Sequence, residues 1–171
     1  MNGEGFKFIN FDDAAQWTAE FESDSAKIQA TWGTEIKDGE TLKTKCGKVM
    51  SSDSEKNKED IENVKKWCGI RSISSQLERK GKKFLVNSKE DAGTLTGKWT
   101  ATYNKRKENQ TSRATLGLSG TWPSTDQNEI ERVKALCREK GNSDFLVKDN
   151  VIYTAIENWC TEEGAKVDVR P

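Results

Sequence analysis

Four cysteines are the side chains of this sequence whose type and spacing most clearly indicate chemistry. The 171-residue chain has no histidine, which excludes Ser-His-Asp and Cys-His catalysis and every histidine-ligated metal site. The interval from Cys46 to Cys68 is almost repeated between Cys137 and Cys160. An even number of cysteines in a repeated spacing is typical of disulfides, and the repetition favours pairing Cys46 with Cys68 and Cys137 with Cys160.

Each such bond would contribute about 3 kcal/mol in the chain-entropy description and would indicate an oxidising, exported compartment. Two other interpretations of the cysteines stay open at this point. A four-cysteine zinc site normally needs close Cys-x-x-Cys pairs, which the sequence lacks. Four reduced thiols packed as small hydrophobic side chains would also fit, because all four cysteines lie on apolar stripes.

Other residue types give weaker indications of chemistry. Pairs of carboxylates occur at Asp12-Asp13, Glu59-Asp60 and Glu162-Glu163, but neighbours in sequence do not face each other across a scissile bond as glycosidase carboxylates do. Phosphate and dinucleotide loops are missing from the sequence. We therefore predict no catalytic, cofactor-binding or metal-binding residues and no cofactor.

Charge and hydropathy exclude two classes of partner. The 28 basic and 28 acidic residues cancel, so the chain lacks the electrostatic footprint of a nucleic-acid-binding protein. We interpret the basic run Lys105-Arg106-Lys107 as a solvated loop. No stretch approaches the roughly 20 apolar residues that span a bilayer, so we predict no membrane insertion by this segment.

The elements that position the cysteines repeat along the chain. Every tryptophan and every cysteine of residues 1–70 has a match in residues 71–171, in the same order. The matched pairs are Trp17 and Trp99, Trp32 and Trp122, Cys46 and Cys137, Trp67 and Trp159, and Cys68 and Cys160. We predict two tandem homologous repeats, 1–70 and 71–171, each with one internal disulfide.

Helical periodicity dominates both copies. Ile130, Val133 and Cys137 follow the i, i+3, i+7 pattern of one apolar helix face. The fold class is therefore predicted as mostly α. Short β-prone pieces near Phe8 and Phe84 make α+β the alternative class.

Boundaries follow from turn and cap residues. A connecting helix is predicted over 72–80, with Gly81 as its terminator; because no counterpart precedes Gly5, we expect the opening helix of the first copy to be missing. Polar linkers are predicted at 51–58, 105–112 and 141–150, and the polar tail after residue 160 is expected to fray.

The tryptophans divide into two groups. Trp17, Trp67, Trp99 and Trp159 are predicted to fill the two small cores. Trp32 and Trp122 are predicted at helix starts beside loops, partly exposed, and are the candidate partner-contact aromatics.

Several of these motifs together resemble a known family. They are Gly5-Phe6 followed by Trp17, Leu42-Lys43-x-x-Cys46, Val64-Lys65-Lys66-Trp67-Cys68, Ile73-x-x-x-Leu77-x-x-x-Gly81, Trp99, Trp122, Cys137 and Trp159-Cys160. Over nearly its whole length the chain resembles the large paralogous families of uncharacterised proteins of haemotropic mycoplasmas, wall-less bacteria that live on red cells. The resemblance implies an N-terminal hydrophobic anchor, absent from this chain, followed by a two-copy ectodomain. It implies no catalytic residues.

We therefore expect a non-enzymatic extracellular protein with a host-contact or antigenic role, membrane-anchored through a segment outside this sequence. Its partner would be a host protein, such as a red-cell surface protein, haemoglobin or a plasma protein. A hydrolase that uses carboxylates and a structural or decoy surface protein without a specific ligand are the alternatives.

Overall fold

The computed structural model describes residues 5–52 and 58–171, which are mostly helical as predicted. The chain divides into two compact units, Met1–Arg71 and Ser72–Pro171. The α-helices are α1 (Ala14–Trp32), α2 (Gly39–Ser51), α3 (Lys58–Trp67), α4 (Ile73–Arg79), α5 (Ala92–Glu108), α6 (Gln127–Gly141) and α7 (Asn150–Cys160). Short 3-10 helices span Leu85–Asn87, Val147–Asp149 and Glu163–Lys166. Most of the predicted linker 51–58 lies outside the described residues.

The extended pieces near Phe8 and Phe84 form single antiparallel bridges instead of strands. Phe8 pairs with Gly69 and Phe84 pairs with Thr161. Each bridge joins the opening segment of its unit to the residue after the second cysteine of that unit. The α+β alternative is therefore wrong for the described residues, because each extended piece is too short to build a ladder.

Aspartates cap α1 and α2. The Asp13 side chain accepts from the backbone N–H of Gln16 at the start of α1. At α2, Asp38 and Thr41 form a reciprocal capping box. The hydrogen bonds from Thr41 also hold the pKa of Asp38 below its usual value.

α1 and α2 approach each other closely at Gly39. A Cβ built on Gly39 would lie 2.5 Å from the backbone nitrogen of Thr18 and 2.6 Å from the carbonyl carbon of Trp17. The two helices enclose the core of the unit together with α3. That core consists of Ile9, Trp17, Ile28, Trp32, Ile36, Leu42, Cys46, Val49, Val64, Trp67 and Cys68.

The second unit opens with α4, which matches the predicted connecting helix. Ser72 caps it by accepting from the backbone N–H of Ser75. At its C-terminus Gly81 adopts φ +76°, the Gly81 N–H donates to Glu78 O, and the Lys82 N–H donates to Leu77 O. This is the Schellman pattern, which needs a left-handed residue and explains the glycine.

The prediction of a linker over 105–112 and a solvated basic loop is wrong for Lys105-Arg106-Lys107. These residues belong to the last turns of α5. Trp99, Thr102, Tyr103 and Arg106 are all buried on that helix at i, i+3, i+4 and i+7. The arginine hides the amphipathic pattern in the sequence, because a charged residue occupies a position of the buried face.

The expectation that the tail after residue 160 frays is also wrong. Thr161 is fully buried. The Arg106 guanidinium donates to the backbone oxygens of Gly164 and Val167, and Thr111 Oγ1 donates to Val169 O. Backbone carbonyls of the tail thus satisfy polar groups at the C-terminal end of α5, which fixes the tail in place.

The stripe predicted for Ile130, Val133 and Cys137 is confirmed, because all three are buried on α6. On α7, Ile156 and Cys160 are buried and Tyr153 is half-buried. In the part of the chain that the structure describes, we find no helix long and apolar enough to cross a membrane.

Replacing Gly39 with alanine is expected to destabilise the first unit by about 2 kcal/mol or more, because the new Cβ collides with backbone that cannot move aside. Gly97→Ala is the matched control. Gly97 lies within α5, where a Cβ meets nothing within 4 Å, so this change is expected to stabilise by about 0.5–1 kcal/mol. Urea unfolding followed by circular dichroism gives both values. Equal effects of the two substitutions would contradict the close approach at Gly39.

Candidate functional site

Both predicted disulfides are present. Cys46 pairs with Cys68 and Cys137 pairs with Cys160, with Cα–Cα distances of 5.9 and 5.7 Å. All four cysteines are fully buried. The zinc and free-thiol interpretations are therefore wrong, and the disulfides indicate an oxidising, extracellular environment.

A pair of tryptophans lies beside the disulfide of the first unit. Trp32 meets Trp67 edge to face, with ring centroids 5.2 Å apart. Trp32 Nε1 donates to Asp60 Oδ1 and Trp67 Nε1 donates to Asp24 Oδ2, both at 2.9 Å. A break in the helical φ/ψ of α1 occurs at Asp24 itself. Both indole N–H groups of this pair are therefore satisfied by carboxylates.

Lysines also lie over these rings. Lys66 Nζ is 4.4 Å from the centroid of a Trp67 ring, and Lys45 Nζ is 5.5 Å from that of Trp32. Both distances are within the range of cation–π attraction. The tryptophan pair is thus the centre of a packed structural cluster, in which the charges of two aspartates and two lysines balance.

The prediction that Trp32 is partly exposed is wrong, since the residue is only 8% exposed. Trp32 ends α1 instead of starting a helix, because Gly33 follows it with φ +100°. The ring then turns inward onto Trp67. This places the candidate contact residue in the core of its unit.

The second unit carries a tryptophan pair of different geometry. Trp122 stacks on Trp159 with centroids 5.9 Å apart and planes 17° apart. Tyr103 meets Trp122 edge to face at 5.7 Å, and burial raises the pKa of the Tyr103 hydroxyl well above its usual value. Trp122 is half-buried, as predicted, but lies in the segment before α6 and not at a helix start.

A buried ion pair holds the loop beside Trp122. Arg113 Nε and Nη2 donate to the two carboxylate oxygens of Glu129 at 2.9 and 2.6 Å. Arg113 Nη1 also donates to Ser119 O at 3.1 Å, and the guanidinium lies 5.3 Å from the Trp122 ring centroid. Sequence reasoning missed this pair, because no spacing rule links a loop arginine to a helix glutamate.

Three donors in the second unit are buried without an acceptor among the described residues. They are Trp159 Nε1, Arg106 Nε and Arg106 Nη1. Burial lowers the pKa of Arg106. Asp24 stands seven residues after Trp17 and Arg106 stands seven residues after the matched Trp99. Where the first unit has a carboxylate, the second therefore has another donor.

An exposed apolar surface lies on the first unit, where Phe11 lies against Gly47 of α2 and Met50 stands one helical turn after that glycine. We call Phe8, Phe11 and Met50 the Phe11 surface. Phe11 is 45% exposed and Met50 46%. Phe11 stacks on Phe8 with centroids 5.4 Å apart. A Cβ on Gly47 would lie 3.4 Å from the Phe11 ring, so the glycine gives the ring room on α2.

A groove with a volume of about 370 Å³ runs along α7 in the second unit. Residues from one face of α7, from the segment after α5 and from the end of the tail form its walls. We call this cavity the α7 groove; its walls include Thr111, Val151, Thr154, Ala155, Trp159 and Val169.

Several carboxylates of the described residues form contacts that stabilise the fold. Buried Glu20 pairs with Arg71, as Glu129 does with Arg113. Of the adjacent pairs noted in the sequence, Asp60 accepts from Trp32 and Glu162 binds Lys98 Nζ at 2.8 Å. Within residues 5–52 and 58–171, no group of three or more cysteine, aspartate or glutamate side chains could hold a metal ion.

Comparisons of the chain with protein-family models, with curated proteins and with solved structures give no match.

The Glu129→Ala substitution is expected to lower the free energy of unfolding by about 3–5 kcal/mol, because it leaves the Arg113 charge buried and uncompensated. Glu131→Ala on the same helix is the control, since Glu131 forms only a surface pair with Lys134 worth less than about 1 kcal/mol. Urea unfolding followed by tryptophan fluorescence measures both. A cost for Glu129→Ala no greater than that of the control would show that Arg113 does not depend on this partner.

Proposed function

We propose that this chain is the extracellular part of a surface-displayed, non-enzymatic protein that contacts a host protein. In this proposal the chain consists of two tandem homologous repeats and is anchored to the membrane through a segment outside this sequence. The proposed bacterial source and the proposed host follow from the resemblance to the paralogous families of haemotropic mycoplasmas. The proposed extracellular location follows from the disulfides, since such bonds persist outside reducing cytosol.

Matching local features support the repeat. In each unit the disulfide joins two helical segments, and the residue after its second cysteine pairs with the opening phenylalanine segment. In each unit the tryptophans matched in sequence also touch: Trp32 meets Trp67, and Trp122 meets Trp159. Unrelated segments have no reason to reproduce both features in the same order.

The Phe11 surface is the observation that carries the contact function. A half-exposed phenylalanine leaves apolar area in water although the core of its unit is built from few apolar residues. Clustered exposed aromatic and methionine side chains are typical of protein-binding surfaces. This surface replaces Trp32 as the contact candidate of the first unit, because the structure buries that tryptophan.

The chemistry of the surface favours an apolar patch on a folded host protein as its partner. Phe11 is braced by its stacking on Phe8 and by a tilted contact with Trp17 at 5.9 Å. A ring held in place loses little conformational freedom on binding, which favours affinity. Met50, one helical turn after Gly47 on α2, has a flexible side chain that adapts its shape to a partner.

Removing the exposed apolar side chains is expected to weaken binding of the chain to its host partner. The double variant Phe11→Ser with Met50→Ser should bind washed red cells and plasma proteins at least tenfold more weakly than the original chain. Val167→Ser is the matched control, because Val167 is a similarly exposed apolar residue of the second unit. Binding is measured by surface plasmon resonance against fractionated red-cell membrane, haemoglobin and plasma, after circular dichroism has shown that each variant is folded.

Each outcome bears on the proposal. Loss of binding in the double variant alone supports it. Binding that survives the double variant contradicts the role of the Phe11 surface, and failure of the original chain to bind any fraction favours the decoy alternative. Turnover of a glycoside, ester or peptide substrate that stops with a carboxylate substitution would favour the hydrolase.

A further inference from the structure

A second groove of the second unit lies between α5 and α6 and has a volume of about 230 Å³. We call this cavity the α5–α6 groove. Leu85 and Trp99 line it and are nearly fully buried, and Val86 and Leu95 line it and are half-buried. The buried part of the lining is therefore apolar. Because the volume lies below the range of about 300–1,000 Å³ for drug-sized ligands, the groove suits a smaller molecule.

The side of the α5–α6 groove that comes from α6 is positively charged. Lys134 and Arg138 both line the groove and stand one helical turn apart on α6. Lys134 Nζ binds Glu131 Oε1 at 2.7 Å. Arg138 is exposed, and its side chain forms neither an ion pair nor a hydrogen bond among the described residues. Since two positive charges one turn apart repel each other, an anion beside Arg138 would be stabilised.

Acidic side chains do not oppose this charge at the groove. None of the described residues that line it is acidic. Close to the lining in sequence, Glu90 binds a lysine of α5 and Asp91 caps that helix. Glu139 follows Arg138 directly, and consecutive helical residues do not face each other. Because Glu131 balances its lysine partner, one positive charge stays unpaired, which favours a ligand with a single negative charge.

A phenylalanine ring contacts the matching residues of the first unit. Phe11 lies beside Trp17, with ring centroids 5.9 Å apart, and a Cβ on Gly47 would lie 3.4 Å from the Phe11 ring. Trp99 matches Trp17 in sequence, and Arg138 matches Gly47, because each directly follows the first cysteine of its unit. Trp99 and Arg138 both line the α5–α6 groove. The groove thus lies where the first unit places an aromatic ring of its own.

The ion pair beside the groove supports this match. On α2, Lys43 Nζ lies 2.7 Å from Glu40 Oε2. Both residues stand at the same separation before the first cysteine as Lys134 and Glu131 do on α6. Trp99, however, takes part in no aromatic contact among the described residues; the contacts of its unit join other rings. The second unit therefore keeps the surroundings of the ring but supplies no ring.

We propose that the α5–α6 groove binds a small aromatic monocarboxylate, with the ring on its apolar lining and the carboxylate on the Arg138 guanidinium. A guanidinium can hold a carboxylate through two parallel N–H···O bonds. The ligand ring takes the part that Phe11 has in the first unit. Only this comparison of the units rests on the repeat proposed above. The groove belongs to the second unit alone, so its failure to bind would leave host contact at the Phe11 surface untouched.

Titration of the intact chain, followed by nitrogen-15 NMR, tests the proposal. Phenylacetate carries both the ring and the carboxylate, acetate lacks the ring, and phenethylamine carries a positive charge instead of a negative one. We expect phenylacetate to shift the backbone amide signals of Leu95 and Thr96 and the Nε–Hε signal of Arg138 in a saturable way. The amide signal of Phe11 is the internal control and should stay in place.

Substitutions separate the charge from the cavity. Arg138→Gln removes the charge and should weaken phenylacetate binding about fivefold, as for an exposed ion pair. Arg132→Gln is its control, because Arg132 is an exposed arginine of the same helix that does not line the groove. Thr96→Trp fills the groove from an exposed position and should abolish binding. Ala101→Trp, at an exposed position of α5 outside the groove, should bind phenylacetate normally.

Saturable shifts with phenylacetate that weaken in Arg138→Gln and disappear in Thr96→Trp support the proposal. It is overturned if phenylacetate moves none of these signals at millimolar concentration, or if acetate or phenethylamine binds as tightly. It is also overturned if Arg138→Gln binds phenylacetate no more weakly than Arg132→Gln does. Because the comparison of the three probes uses the original chain, a variant that fails to fold leaves that result intact.

Discussion

The disulfide of each unit is the constraint on which the rest of its structure depends. Cys68 directly follows α3 and Cys160 ends α7, so each bond fixes the C-terminal end of the last α-helix of its unit to an earlier α-helix. The next residue, Gly69 or Thr161, then pairs with the opening segment of that unit. A chain with only 33% hydrophobic residues divided into two small units buries little apolar area, and such units commonly rely on covalent staples.

The tryptophan pairs of the two units differ in how their indole N–H groups are satisfied. In the first unit the carboxylates of Asp24 and Asp60 satisfy both indoles, and the exposed apolar area lies elsewhere, at Phe11. In the second unit the Trp159 N–H has no acceptor among the described residues. The residue seven positions after Trp17 is the carboxylate Asp24, whereas the residue seven positions after Trp99 is Arg106.

The disulfide pairing could be predicted because it depends on a few residues of one rare type. Four cysteines in two nearly equal intervals, of 22 and 23 residues, favoured the pairing by their spacing alone. Gly81 predicted the end of α4, because a left-handed residue ends a helix locally. Charged residues that serve the interior could not be predicted from the pattern of apolar residues. Arg106 concealed the buried face of α5, and the Arg113–Glu129 pair had no sequence signal, since its members come from a loop and a helix. The prediction for Trp32 is wrong because this residue ends α1 and does not start the next helix.

The central claim is that each unit folds on its own disulfide. The most direct measurement is to produce residues 1–71 and 72–171 as separate chains under oxidising conditions. Near-ultraviolet circular dichroism and amide hydrogen exchange then report on the packed tryptophans and on the helices. The account predicts that both chains fold, each with one internal disulfide, and that reduction unfolds them. A chain that stays unfolded when its disulfide is formed would contradict the account. A chain that stays folded after its disulfide is reduced would also contradict it.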